Sequence, residues 1–125
     1  MNTPIDMVKD YLIAWTNIDY IGVFSVMQIS TRFRMPVASF LLPFLHPPES
    51  FDVMDDETPK GLDGTVIRDV NIKIDLGKGL KIAKLRCVCE KVEGGVKTDR
   101  KIIPASTPDG GRWGVNLNSL RFDAD

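Results

Sequence analysis

The sequence predicts an α+β fold in which N-terminal helices pack against a curved, mostly antiparallel sheet. Two patterns support this prediction: apolar residues recur at helical spacing before residue 28, and they alternate with polar residues after residue 65. Because the helices precede the strands instead of alternating with them, we expect them to cover one face of the sheet. The 125 residues fit one domain, which we place at 1–125.

The composition is typical of a globular chain and argues against two classes of partner. Hydrophobic residues make up 43% of the chain, charged residues 26%, and the net charge is −1. Lys and Arg form no basic stripe, so we expect no nucleic-acid partner. The most apolar stretch, 35–45, is interrupted by prolines and is shorter than the roughly 20 residues of a membrane-spanning helix, so we expect no membrane partner. Without a signal peptide near Met1, the predicted location is cytoplasmic.

Two helices are predicted in the N-terminal segment. Thr3 can cap the first helix, and Pro4 suits its first position. Asp19 can cap a second, shorter helix over residues 20–27. The apolar stripe of the first helix consists of Ile5, Val8, Tyr11, Leu12 and Trp15.

The segment 29–64 is harder to assign because its prolines limit any regular element to short pieces. We expect most of its apolar side chains to be core. The acidic stretch 49–63 is interpreted as a surface excursion held in place by three apolar residues. The expected core residues are Phe33, Val37, Phe40, Leu41, Leu42, Phe44 and Leu45, and the anchors of the acidic stretch are Phe51, Val53 and Met54.

A meander of about four strands is predicted for the second half. Residues 66–76 alternate between apolar and polar, and Gly77–Gly79 turns the chain. In the next strand the apolar residues change from even to odd positions, which predicts a β-bulge near Ala83. The remaining predicted features are a hairpin turn at Gly94-Gly95, a third strand over 96–103 and a last strand over 113–122.

Residues that could bind a metal or act as a nucleophile are few. Cys87 and Cys89 point to the same face of a strand, about 7 Å apart, which is too far for an easy disulfide. No second pair completes a zinc site, so we expect buried core thiols, no metal and no cofactor. His46 is the only histidine, lies in a loop and is expected to be exposed, so we assign no catalytic residue.

Two further features have a structural and a functional interpretation. The acidic triplet Asp55, Asp56 and Glu57 lacks the spacing of a calcium loop, so we interpret it as solvated surface. Its functional alternative is a contact surface for a basic protein partner. Tyr11 could donate a hydrogen bond into a pocket, or it could be a core tyrosine with its hydroxyl at the rim.

Two segments resemble a known superfamily. The stretch 11–19 is similar to a first helix that ends in an acid before the second helix, with Gly22 at the expected spacing after it. The segment 111–115, Gly-Arg-Trp-Gly-Val, resembles a frequent final-strand motif. Both resemble the nuclear transport factor 2-like superfamily, the cystatin-like roll that includes ketosteroid isomerases and polyketide cyclases.

The resemblance also implies a set of catalytic positions, and this chain departs from it. Tyr11 matches the oxyanion-stabilising tyrosine of the isomerases. Their general base precedes a Pro-Val pair, where this chain has Met35, and their second acid corresponds to Ser106. A thioether cannot remove a proton, so the resemblance implies the fold without the isomerase activity. The ligand-pocket candidates that it implies are Tyr11, Trp15, Met35 and Ser106.

Three functions are therefore left open. We favour a non-catalytic roll that binds a small apolar ligand or a protein partner and forms a homodimer through its sheet. The alternative is an isomerase, cyclase or dehydratase that uses Asp19 or Asp69 together with Tyr11. A third hypothesis is an interaction protein that presents the acidic stretch 49–63.

Overall fold

The computed structural model describes residues 3–28, 31, 35–91, 96–98, 101–103 and 111–123. Within these ranges, three N-terminal helices precede an open antiparallel sheet of five strands, which confirms the predicted α+β class. The helices are α1 (Pro4–Thr16), α2 (Tyr20–Val26) and α3 (Val37–Leu41), and a 3-10 turn over Leu42–Leu45 continues α3. The strands are β1 (Ser50–Glu57), β2 (Ile67–Asp75), β3 (Leu80–Lys91), β4 (Val96–Thr98), β5 (Lys101–Ile103), β6 (Gly111–Val115) and β7 (Arg121–Phe122).

Helix α1 begins as its sequence predicts. The backbone N–H of Asp6 donates to Thr3 Oγ1 at 3.1 Å, and Pro4 occupies the first turn, where its missing N–H costs no hydrogen bond. The helix then buries one side against the sheet. Its buried residues are Pro4, Met7, Val8, Tyr11, Leu12, Ala14 and Trp15.

The corner between α1 and α2 is tight. Ile18 has a φ of 55°, which lets the chain reverse direction, and the side chain of Asp19 accepts from Gly22 N at 2.9 Å to cap α2. A Cβ on Gly22 would lie 2.9 Å from Ala14 Cβ and 2.5 Å from Asp19 Oδ2. Gly22 therefore allows α2 to pack closely against α1.

We expect Gly22→Ala to lower the free energy of unfolding by about 1 kcal/mol. Alanine favours a helix by about that amount, but the crowding of Ala14 and of the capping carboxylate outweighs this gain. Urea unfolding would measure the change, with Asp10→Ala on the exposed side of α1 as the control. Equal or higher stability of Gly22→Ala would contradict the close packing.

The sheet has the order β1-β2-β3-β6, and β7 pairs with the first half of β3 beside β6. β2 and β3 pair in unbroken register from Ile67↔Val88 to Asp75↔Leu80. The face that carries the aligned pairs Val70↔Leu85 and Ile72↔Ala83 packs on α1. This face and the helices form the core, whose fully buried residues include Val8, Leu12, Val70, Ile72, Ile74, Leu85, Cys87 and Val115.

The predicted β-bulge near Ala83 is wrong. The register between β2 and β3 does not shift, and the irregularity lies instead in β1, between Val53 and Asp56. Leu80 and Ile82 lie on the opposite face from Ala83 and are 59% and 47% exposed. The change from even to odd apolar positions therefore marks two exposed apolar residues and not a kink in the strand.

Other strand predictions also need correction. The acidic stretch 49–63 contains the edge strand β1, in which Phe51 and Val53 are half-buried, whereas Met54, the third predicted anchor, is 38% exposed. The third strand predicted over 96–103 is two short strands, because Val96 pairs with Ile103 and the chain folds back on itself. A 3-10 turn over Leu117–Ser119 interrupts the predicted last strand. The predicted turn at Gly94-Gly95 lies outside the described residues.

Candidate functional site

A small cavity lies between α1 and the α3 segment. Its volume is about 40 Å³, which accommodates a few water molecules, whereas sites for drug-sized ligands measure roughly 300–1,000 Å³. Residues that line it include Tyr11, Trp15, Met35, Phe40, Phe44 and Leu117. The cavity in this structure is therefore too small for a steroid-sized ligand.

Three of the four predicted pocket residues meet at this cavity, and Ser106 lies outside the described residues. Trp15 Nε1 donates to Pro43 O at 2.7 Å, which ties α1 to the 3-10 turn. The rings of Tyr11 and Trp15 stack with their centroids 5.7 Å apart. Burial raises the pKa of Tyr11, so its phenol stays protonated and can only act as a neutral hydrogen-bonding group near neutral pH.

Among the described residues, the lining of this cavity contains no carboxylate, imidazole or amine. The carboxylate of Asp19 caps α2, and that of Asp69 lies on the outer face of the sheet, opposite the face that packs on α1. Neither of the acids considered as alternatives is therefore placed beside Tyr11.

The acidic triplet lies on β1 and is paired with neighbouring strands. Asn71 Nδ2 donates to Asp55 at 2.8 Å, Arg68 Nε donates to Asp56 at 2.9 Å, and Lys84 Nζ donates to Glu57 at 2.5 Å. Asp55 and Glu57 are exposed and Asp56 is half-buried, so the triplet lies at the surface as interpreted, with its partners on β2 and β3. A basic partner would have to compete with these bonds.

The outer face of the sheet carries a charge cluster around a buried acid, and this cluster was not predicted from the sequence. Asp69 is only 3% exposed, and its carboxylate accepts from Arg86 Nε at 2.9 Å and from Arg121 Nη2 at 2.5 Å. Burial would raise the pKa of Asp69, but the hydrogen bonds from Arg86 and Arg121, together with their charges, lower it below its ordinary value. Asp69 lies directly opposite Arg86 across β2 and β3, a partner that the register of the sheet supplies and that lies 17 residues away in the sequence.

Cys87 and His46 lie as predicted, whereas Cys89 is less buried than the prediction of two core thiols. Cys87 is fully buried and donates to Pro4 O at 3.7 Å. Burial, helped by the charges of Asp56 and Asp69, raises the pKa of Cys87 to about 12, so its thiol is not a nucleophile at neutral pH. Cys89 is half-buried and His46 is exposed. No group of three or more metal-binding side chains occurs in the part of the chain that the structure describes.

The segment formed by α3 and the 3-10 turn is apolar on two sides. Phe40 and Phe44 face inward, where Phe40 is half-buried and Phe44 is 7% exposed. Val37, Leu41 and Leu45, spaced four residues apart, are 71%, 40% and 69% exposed, and Leu42 is 63% exposed. The prediction that these four residues belong to the core is therefore wrong. The inward-facing side of the segment, with Phe40 and Phe44, is enough to attach it to the rest of the fold.

The exposed apolar residues continue onto the corner between α1 and α2. The rings of Tyr20 and Phe44 meet edge to face at 4.6 Å, which joins the two regions. Ile21 is 80% exposed, Tyr20 47% and Ile18 45%. We call the combined area the apolar helical surface, and it consists of Ile18, Tyr20, Ile21, Val37, Leu41, Leu42 and Leu45.

A second, smaller group of exposed apolar side chains lies at the end of the sheet. Leu80, Ile82 and Phe122 line an open groove of about 930 Å³ together with Lys78 and Lys81. The groove is part of the sheet surface beside the β2–β3 turn. It provides exposed apolar positions with which the helical surface can be compared.

Comparisons with family models, with curated proteins and with solved structures found no match for this chain. None of the described helices is long and apolar enough to cross a membrane. The fold and its surface together define an α+β domain that carries an unusually apolar helical side.

Proposed function

We propose that this protein is a non-catalytic binding module that docks a protein partner on its apolar helical surface. The observation that supports this best is the segment of α3 and its 3-10 turn, which has apolar side chains both toward the core and toward solvent. A helix that is apolar all round is normally buried on all sides. Here the outer side has nothing to cover it within the described residues.

The size of the surface supports the same function. Its seven side chains expose on the order of 800 Å², which is about what one partner contributes to a standard protein–protein interface. The largest apolar patch on a typical monomer is about 300–600 Å². A surface of this order, formed mainly by Ile, Leu and Val, favours a docking role.

The small cavity and the paired acids favour binding over catalysis. A cavity of about 40 Å³ gives little room for a small apolar ligand, and the acids proposed for an enzyme serve other contacts. The outer face of the sheet also carries charged clusters, such as Asp69 with Arg86 and Arg121. This makes it a poorer docking face than the helical surface.

Divergence from the nuclear transport factor 2-like superfamily is part of the same proposal. Its support is the α1–Asp19–α2 corner and the strand β6, which carry the two resembling segments. The isomerase base position, Met35, lies at the small cavity. A binding role agrees with a roll that has lost the catalytic base.

Photo-crosslinking tests the proposal without assuming the partner's identity. A benzophenone amino acid would replace Leu42, and a matched control would replace Leu80, since the two side chains are 63% and 59% exposed. After irradiation in cells that express the full chain, we expect covalent protein adducts at position 42 in several-fold excess over position 80. Mass spectrometry would identify the crosslinked chain.

Equal adduct yields at the two positions, with both proteins folded by circular dichroism, would contradict the proposed function. Adducts mainly at position 80 would move the docking site to the sheet groove. Both outcomes are independent of which protein is captured.

A further inference from the structure

We infer that the occupant of the apolar helical surface is a second copy of this chain, an inference that rests on the proposed function. Two exposed regions contribute to the surface, the α1–α2 corner and the outer side of the α3 segment. The low charge of these regions and their exposed apolar side chains favour self-association.

One charged residue, Asp19, is exposed between Ile18 and Tyr20 at this surface, and its carboxylate caps α2 by accepting from Gly22 N. Residues 35–45 include no Asp, Glu, Lys or Arg, and the three residues from the α1–α2 corner are also uncharged. Interfaces between different proteins commonly use complementary charges to choose their partner and to speed association. A surface with so little charge can be matched by a second copy of itself, and a net charge of −1 gives little repulsion between copies.

The geometry of α3 suits a two-fold axis. Val37 and Leu41 lie one turn apart on α3, and Leu42 and Leu45 follow on the 3-10 turn, so two antiparallel copies can place the same four exposed residues against one another. In a two-fold dimer the same patch is used by both chains, so one self-complementary surface is sufficient. A stable dimer buries about 800 Å² on each copy, and the seven residues of this surface, each 40–80% exposed, can supply a large part of that area.

The backbone of Ile18 provides an independent observation. Its φ of 55° lies in the left-handed region that glycine and asparagine favour, and a β-branched residue is strained there. Its side chain is 45% exposed, so it adds little to the monomer's core. That φ ends α1, as Ile18 N donates to Trp15 O and Asp19 N donates to Ala14 O. Glycine would meet the same need without strain, so the exposed isoleucine side chain is the feature that a contact beside Ile21 in the dimer explains.

Two variants separate these contributions. We expect Ile18→Gly to relieve the backbone strain and raise the monomer's midpoint of thermal unfolding, while it weakens dimerisation. We expect Leu42→Ser to weaken dimerisation about tenfold or more, as for the central residues of other interfaces, with little effect on the monomer. Leu80→Ser, at a similarly exposed position on the sheet, is the matched control and should leave dimerisation unchanged.

Sedimentation velocity of the full chain from low micromolar to high micromolar concentration measures these effects. The expected result is a concentration-dependent dimer for the wild type and for Leu80→Ser, with a shift toward monomer for Ile18→Gly and Leu42→Ser. Thermal unfolding at the lowest concentration supplies the monomer stabilities. If Leu42→Ser fails to fold, the comparison of dimerisation between Ile18→Gly and the wild type decides whether the inference holds.

The outcomes distinguish this inference from the proposed function. If the wild type stays monomeric while position 42 crosslinks to a different protein, the inferred dimer is overturned but the proposed binding function stands. A dimer that only Leu80→Ser weakens places the interface on the sheet and overturns the inference. A monomeric wild type without adducts at position 42 overturns both.

Discussion

Gly114→Ala is expected to lower the free energy of unfolding by about 3 kcal/mol, at the upper end for an overpacked position. A Cβ at residue 114 would lie 2.6 Å from Gln28 Cα and 2.8 Å from Gln28 N. These are backbone atoms, and the bond from Gln28 N to Val115 O at 2.9 Å holds them in place. The clash can therefore be relieved only by moving β6 away from the segment after α2.

Urea unfolding of the two proteins would measure this effect. Gly79→Asn is a suitable control, because Gly79 has open space around it and a φ of 89°, a conformation that asparagine tolerates better than most residues. We expect the control to lose about 1 kcal/mol or less. If Gly114→Ala is no less stable than Gly79→Asn, the close approach of β6 to the end of α2 is refuted.

The same junction gives the Gly-Arg-Trp-Gly-Val segment a structural role. Arg112 is 7% exposed, and its guanidinium donates to Met27 O at 3.3 Å and to Ser25 O. These carbonyls lie at the C-terminal end of α2, where backbone acceptors lack partners within the helix. Arg112 therefore caps the C-terminal end of α2, and Gly114 leaves room for the backbone of Gln28, just after α2. In this way the Gly-Arg-Trp-Gly-Val segment holds the helices on the sheet.

Elements with local determinants could be predicted from the sequence. Thr3 and Asp19 cap α1 and α2 through bonds to residues three positions away, and such spacings are visible in the chain itself. The buried face of β2 follows from strict alternation, with Val70, Ile72 and Ile74 all fully buried. These features depend on neighbours in sequence and need no knowledge of the tertiary structure.

Two wrong predictions share a physical cause. The bulge near Ala83 and the core assignment of Val37, Leu41, Leu42 and Leu45 both assumed that a large apolar side chain must be buried within the chain. The exposure of Leu80, at 59%, and of Leu42, at 63%, shows that this assumption fails here. Sequence patterns record that a side chain is apolar, but they do not distinguish a core contact from a contact with another molecule.

The strand β1 was missed for a different reason. Its acidic residues are unfavourable in a strand by propensity, and the groups that balance them lie far along the chain. Asp56 pairs with Arg68, and Glu57 pairs with Lys84, 27 residues later. Register between strands supplies these partners, and register is fixed only when the sheet forms.

Asp69→Asn is expected to lower the free energy of unfolding at pH 7 by about 2 kcal/mol. Removal of one partner from a buried ion pair typically costs 3–5 kcal/mol, but we reduce this figure because the partners are partly in water. The side chains of Arg86 and Arg121 are 33% and 46% exposed, whereas that of Asp69 is 4% exposed. The loss arises because two arginines over the sheet lose their common counter-ion.

The pH dependence tests whether the charge of Asp69 is responsible. Its pKa in the folded state is lower than its ordinary value, so its stabilising contribution is complete above the unfolded pKa of about 3.9. The contribution is lost as the pH falls from there through the lower pKa of the folded state. The stability gap between the wild type and Asp69→Asn should therefore be constant near neutral pH and narrow below about pH 4.

Urea midpoints at several values between pH 7 and pH 3 would follow this gap, with Asp10→Asn on the exposed side of α1 as a control that should stay close to the wild type. A gap that keeps its full size at the lowest pH would mean that the shape and hydrogen bonds of Asp69 matter and its charge does not. A stability gap that narrows below about pH 4 would show that the charge of Asp69 stabilises the outer face of the sheet. That result would support the helical surface as the docking side, because a partner covering the sheet would have to displace or desolvate these pairs.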